Sequence, residues 1–416
     1  MSFFLESIQA HVAHDWGRCY PFAKSTEGPP AFLDQANYSA IPPGMVNGCQ
    51  PSNGSIEVIE VDPSNGWASL NFISAATLKS PTPSVDQHSM WIYEVDGQFI
   101  EPIQYDTFTA RAGERYSVMI KLDQKPQDYP IRISDIDTQL VSAFAILRYR
   151  NSPGNLPVTE EQFITYRGEQ TLPWLDYNCD TLNNATTLDR TQDITNYKPF
   201  PSSDLSLKPA IPTPEDPQFI FHVTRVNISW QTTMNFPYLY PMDNDAYKPL
   251  LYQPNTTEGY DPRYVIRTKN NTWVDLVIQV GEYDWWPADS PHSMHKHSSK
   301  MWLIGSGDGI YNYSSAYEAL QANPSSFNLD NPGFRDTWVS GFEGAQWLVL
   351  RYHVTNPGPF LFHCHIETHL ASGMGLAILD GVDAWPYIPP EYGVTQHGLT
   401  PSRIAKRDVN APHFNG

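Results

Sequence analysis

The chain has 416 residues, room for two or three domains, and 40% of them are apolar, enough to build real cores and to exclude a disordered protein. A net charge of −19, from 45 acidic against 26 basic residues, argues against a phosphate-tracking surface and so against nucleic acid as a partner. No apolar run approaches the roughly 18 residues a membrane helix requires, and 37 prolines, 25 glycines and 13% aromatics favour many short strands over helices.

Strand-like runs recur at 56–61, 67–73, 91–95, 99–103, 115–122, 131–134 and 143–149, punctuated by the turn pairs Asp62-Pro63, Asp96-Gly97 and Ala112-Gly113. They predict one antiparallel sandwich or barrel over residues 1–150. Over 151–217 the periodicity weakens, and proline-rich stretches such as 198–201 and 211–214 mark an interdomain linker. Strands resume at 219–226, 273–280, 301–304, 347–354, 360–366 and 376–379, with one short helix at 314–321, and predict a second sandwich over 218–392. Residues 393–416 have little hydrophobic pattern and read as a loosely held tail. The expected fold is therefore all-β, two sandwich domains in tandem.

The chemistry concentrates in two windows. One is Phe362-His-Cys-His-Ile-Glu-Thr-His369, followed by Met374; the other is Pro291-His-Ser-Met-His-Lys-His297. Successive side chains of a strand alternate faces, so His363 and His365 point one way and Cys364 the other. In the upstream window His295 and His297 share a face and His292 takes the opposite one. If the two segments neighbour each other, His292, Cys364 and His369 surround one metal with Met374 axial. His295, His297, His363 and His365 then converge on a second cluster. Two imidazoles, a thiolate and a distant thioether are the ligand set of blue-copper electron transfer. Zinc is the alternative, but a His-Cys-His order that uses both faces does not suit one closed tetrahedron. Met374 alone could equally fill core space.

These residues resemble the last domain of the multicopper oxidases, the family of laccases, ascorbate oxidases and ferroxidases. The shared pattern is His-Pro-x-His-x-His followed by His-Cys-His-x-x-x-His-x-x-x-x-Met. Ser293 replaces the proline, and the variant His-Lys-His-Ser looks closest to ascomycete oxidases associated with spore and polyketide pigments. The resemblance implies cupredoxin-like Greek-key domains. It makes His292, Cys364 and His369 ligands of a type 1 copper with Met374 its weak axial neighbour. His295 becomes a type 2 ligand, and His297, His363 and His365 ligands of the type 3 pair. Glu367 matches a carboxylate that relays protons to bound oxygen; a solvated or helix-capping role is its plain alternative. Residues 95–102 and 112–116 resemble the family's middle domain, which binds no copper.

The implied activity is oxidation of a phenolic or naphthol compound, one electron at a time, with reduction of dioxygen to water. Ferroxidase activity, or a copper-binding electron-transfer protein without oxidase activity, are the alternatives. Glu282, Asp284 and Asp289 are candidates beside the substrate, and Trp285 and Trp286 for an aromatic groove, though surface loop and core packing explain them equally well. A complete family cluster uses eight histidines and this chain matches four, so a preceding domain is expected to supply the rest, and the chain by itself is expected to reduce dioxygen slowly. His11, His14, His88, His222, His353, His397 and His413 are never two apart and read as surface or loop residues. Setting Cys364 aside leaves Cys19, Cys49 and Cys179, an odd number whose pairing stays open. Acceptor sequons at Asn37, Asn53, Asn184, Asn227, Asn255, Asn270 and Asn312 suggest a secreted, glycosylated protein of the cell wall or exterior. The first residues nevertheless show no basic segment, apolar core or cleavage site of a signal peptide.

Overall fold

A computed structural model describes residues 55–76, 81–135, 142–154, 156, 208–226, 229–231, 265–281, 292–340, 345–371 and 373–387. Among the described residues strands are the dominant element, in the order β1 (Val58–Val61), β2 (Trp67–Ile73), β3 (Pro81–Val85), β4 (Met90–Val95), β5 (Gln98–Tyr105), β6 (Arg115–Lys121), β7 (Asp128–Asp135) and β8 (Ser142–Tyr149). After them come β9 (Gln218–His222), β10 (Thr224–Val226), β11 (Ser229–Gln231), β12 (Val265–Arg267), β13 (Trp273–Val280), β14 (Ser293–Lys296) and β15 (Met301–Asp308). The last are β16 (Phe334–Arg335), β17 (Thr337–Val339), β18 (Gln346–His353), β19 (Gly358–Cys364) and β20 (Gly375–Asp380). Two short helices join them, α1 (Ala316–Ala322) and α2 (Glu367–Ala371).

The first eight strands form the sheets β1-β8-β7-β3 and β2-β6-β4-β5. The second sandwich is built from β12-β20-β19-β14-β17 and β16-β15-β18-β13-β9, with β10 and β11 as a separate ribbon. Neighbours far apart in sequence make these Greek-key sheets, the fold expected of tandem cupredoxin-like domains. Where one face is buried, alternation of buried and exposed side chains drives a strand to one register. In β4 it is interrupted by a bulge between Ile92 and Glu94, which lets Met90, Ile92 and Val95 all point inward. The turn after β4 needs two left-handed residues, supplied by Asp96 (φ 50°) and Gly97 (φ 77°). Buried residues of both sandwiches form one continuous apolar cluster.

β13 is buried on both faces. Val274, Leu276 and Ile278 enter the sandwich interior, while Val277 packs under Trp302, Trp347, Tyr311 and the small side chains of α1, Ala316 and Ala319. Helix α1 starts where Ser315 accepts a hydrogen bond from the Glu318 N–H, a side-chain cap at its N-terminus.

Several features differ from expectation. Residues 81–85 form a strand despite two prolines, because β3 is an edge strand whose ladder partner is β7 and its missing N–H groups cost no ladder bonds. The strand predicted over 360–366 ends at Cys364, and residues 367–371 turn into α2. His88 lies in the connection between β3 and β4, as a loop residue should, but is buried: it is 3% exposed, donates from Nδ1 to the Asp86 carbonyl at 2.8 Å and accepts from the Tyr149 hydroxyl at 2.7 Å. Burial holds its pKa below the ordinary histidine value. Cys19, Cys49, Cys179, Glu282, Asp284, Trp285, Trp286, Asp289, residues 157–207 and the 393–416 tail lie outside the described residues.

Candidate metal centre

Strand β14 lies between β19 and β17, and its register decides everything about the site. Met294 pairs with Cys364 and His295 with His363, while across the other edge His295 pairs with Thr337. The His365 N–H donates to the Ser293 carbonyl at 2.6 Å, extending the pairing past the end of β19. Fully extended, five residues would carry His369 some 16 Å from Cys364. The α2 turn folds it back instead, with the His369 N–H bonded to the Ile366 carbonyl. Cys364 N–H donates to the Met374 carbonyl at 3.1 Å and Met374 N–H to the His369 carbonyl at 3.0 Å, so the thioether residue is tied beside both.

The result is a closed triangle. Cys364 Sγ lies 3.9 Å from His292 Nδ1 and 3.6 Å from His369 Nδ1, and the two ring nitrogens are 3.1 Å apart. A point about 2.1 Å from all three atoms exists at its centre, which is the length of a metal–imidazole bond. Exposures are 1% for His292, 0% for Cys364, 6% for His369 and 0% for Met374, so water is shut out. Burial pushes the Cys364 thiol up to about 12, and burial together with the neighbouring His369 ring holds His292 well below the ordinary histidine value. Neutral imidazoles are ready ligands, whereas the thiolate needs a cation beside it to form at all. Cysteine with two histidines in a trigonal set and a buried methionine alongside fits copper better than a tetrahedral zinc site.

The second group is open. Ligand atoms of His295, His297 and His363 lie within 4.8 Å of one another, with His297 Nε2 3.3 Å from His363 Nε2. The His365 ring centroid is 5.5 Å from those of both His295 and His363. Each inner ring is oriented from behind: His363 Nδ1 donates to the Cys364 carbonyl at 2.8 Å, and His295 Nδ1 to the Asp336 carbonyl and the Thr337 hydroxyl, both at 3.1 Å. Their Nε2 atoms are left as the ligand atoms. Burial, opposed by the hydrogen bond to the Cys364 carbonyl but aided by the nearby rings, leaves His363 at about 3, while His297 and His365 are also lowered, chiefly by burial. Glu367 stands exposed at the first position of α2, two residues beyond His365.

Three more residues support this group, none picked out for that role by the sequence. Asp336 and Thr337 sit at the start of β17, and Arg115 reaches Asp336 from the first sandwich with 2.6 and 2.7 Å bonds to its two oxygens. Burial disfavours the Asp336 carboxylate, but bonds from Arg115 and His295 outweigh it and hold its pKa well below the usual range. Lys296, on the opposite face of β14, is fully buried, paired to Asp380 at 2.8 Å and placed over the Tyr352 ring. Asp380 also accepts from Tyr352 and Thr268, so its carboxylate is saturated.

A buried cysteine–histidine triangle of this form, joined by peptide bonds to a histidine cluster within a β-sandwich, is a donor set suited to copper. Two sequence profiles of the family described as multicopper oxidase match residues 24–152 and 227–384. Multicopper oxidase VdtB of Byssochlamys spectabilis is 47% identical over 92% of this chain and 54% of its own length. Multicopper oxidase GIP1 of Gibberella zeae is 47% identical over 93% and 54%, and laccase ustL of Ustilaginoidea virens 42% identical over 96% and 60%. The chain belongs to the multicopper oxidase family. It spans little more than half the length of these relatives. Among solved structures, the laccase from Botrytis aclada matches with a TM-score of 0.58, 18% identity, and coverage of 86% of this chain and 58% of that one. Fet3p, titled a multicopper oxidase that functions in iron import, matches at 0.57 and 18%, covering 80% and 59%. At that identity both speak for the fold alone.

Proposed function

We propose that this chain is the electron-collecting part of a laccase-like oxidase that takes electrons singly from phenolic or naphthol compounds and passes them to dioxygen, giving water, in pigment or secondary-metabolite biosynthesis. The observation that carries this reading is covalent: Cys364 of the closed triangle shares peptide bonds with His363 and His365 of the open cluster. Copper at the two sites supplies the one-electron chemistry. His292, Cys364 and His369, with Met374 beside them, would hold the type 1 ion, His295 the type 2 ion, and His297, His363 and His365 the type 3 pair. The buried triangle keeps water away from the thiolate. Glu367, exposed beside His365, is the carboxylate we assign to proton delivery. The His-Lys-His-Ser run supports the pigment reading.

Residues 1–150 and 218–392 act on this reading as a copper-free and a copper-bearing domain, with 151–217 linking them. Secretion is supported by the sequons, of which Asn312 is exposed. No helix among the described residues is long and apolar enough to cross a membrane. The test is oxygen uptake by copper-loaded protein with its complete histidine cluster, with a diphenol and with ferrous ion as alternative donors. Uptake with the diphenol supports the assignment; uptake with ferrous ion alone replaces the substrate class. A protein that takes up the blue copper only and consumes no oxygen is an electron carrier, which sinks the oxidase reading.

A further inference from the structure

Besides Arg115 and Asp336, the first sandwich touches the open cluster at a second place. Gly113, in the turn before β6, has φ +83°, and a Cβ built on it would meet His365 Cδ2 at 2.4 Å and Cγ at 2.6 Å. The backbone of one sandwich therefore forms a wall against a histidine ring of the other, closer than any side chain would allow. Two residues on, the Arg115 guanidinium fork spans both oxygens of Asp336 and also donates to the Gly113 carbonyl at 3.0 Å. Asp336 offers its carbonyl to His295, and Thr337, which also holds His295, donates to the Gly113 carbonyl at 3.4 Å. The turn is itself anchored: Arg335 pairs with Asp96 and Glu114, each at 2.8 Å, at 1% side-chain exposure.

We propose that Gly113 and Arg115 are positioning residues for the open histidine cluster, Gly113 by packing against His365 and Arg115 by fixing Asp336 behind His295. The proposal rests on the reading that this cluster holds copper. The sandwich that carries no ligand of its own among the described residues thereby sets the aim of two of the four rings. The Arg115 and Asp336 side chains are 33% and 18% exposed, so solvent screens part of what this ion pair contributes to stability. Holding ligand rings is what its two-point geometry adds, since groups behind ligands typically change metal affinity 10- to 100-fold.

The experiment titrates the 416-residue chain with Cu(II), reading the blue thiolate absorption for the closed triangle and the electron paramagnetic resonance spectrum of non-blue copper for the open cluster. Arg115→Met and Gly113→Ala should leave the blue band unchanged, weaken the non-blue copper about tenfold or more and alter its hyperfine splitting. Arg115→Lys should recover part of the affinity. In Arg115→Met combined with Asp336→Asn, which removes the stranded carboxylate, the weakening should persist. Wild-type affinity and splitting in the single variants, or their restoration in the double variant, overturn the proposal. So does loss of the blue band in Arg115→Met and Arg115→Lys alike, because the loop then supports the whole fold. A wild-type chain that binds only the blue copper overturns the copper reading of the cluster, a separate result, and the proposal with it.

Discussion

The closed triangle and the open cluster share one pair of strands, yet differ in what they lack. His292, Cys364 and His369 are almost fully buried and meet around a single point at bonding distance. On the opposite faces of β14 and β19, His297 is exposed and His295 partly so, and their ring nitrogens bound a space without closing it. The difference follows from which way each face looks. One faces the sandwich interior, where α2 and Met374 complete the ligand set from the same chain segment. The other faces outward, where Gly113 and Arg115 of the first sandwich meet it alongside Asp336 and Thr337 of β17.

Removing the thiolate breaks the contrast most completely. Cys364→Ser should abolish the blue absorption while leaving non-blue copper at the histidine cluster, as optical and paramagnetic resonance spectra of the loaded protein will show. A surviving blue band would refute the triangle. Lys296→Met strands Asp380 in the interior behind both sites and should cost up to about 5 kcal/mol in urea unfolding. Adding Asp380→Leu should return only part of that, since it removes the stranded charge but leaves the Tyr352 and Thr268 hydroxyls without their acceptor.

Acid sharpens the comparison further. His363 has a folded pKa of about 3 against about 6.5 in the unfolded chain. The unfolded chain therefore binds more protons between those values, and stability present above pH 6.5 is lost as pH falls toward 3. The metal-free chain should lose on the order of 4 kcal/mol over that window from this group, at 1.36 kcal/mol per unit. A flat denaturation midpoint from pH 7 to 4 would contradict it. The smallest effect belongs to Met374→Leu, which should keep the blue band and raise the reduction potential modestly by removing a weak donor. An unchanged potential would make Met374 a packing residue.

Much of this arrangement was legible because a strand's period of two is rigid. The parity of His292, His295 and His297 against His363, Cys364 and His365 anticipated two groups on two faces, and the pairing of Met294 with Cys364 and His295 with His363 brings those residues together. The turn at Asp96-Gly97 was equally readable, because two left-handed residues are needed there. Helix α2 was not: five residues are too few to show a helical period, and its sequence continues a strand that already carries functional residues. Strand β3 hid behind its prolines, which an edge position tolerates. His88 hid because a buried histidine differs from a surface one only by its partners, Asp86 and Tyr149, the second of them 61 residues away.

The sequence by itself determined the inventory of candidate ligands and the faces taken by those along β14 and β19, because side-chain chemistry and strand alternation are local properties. Tertiary structure decided which ligands meet. The return of His369 through α2, the burial that makes the Cys364 thiolate depend on a cation, and the 221-residue reach from Arg115 to Asp336 all arise from packing between segments distant in the chain. No local pattern encodes such contacts, since their free energy depends on what the rest of the fold brings alongside.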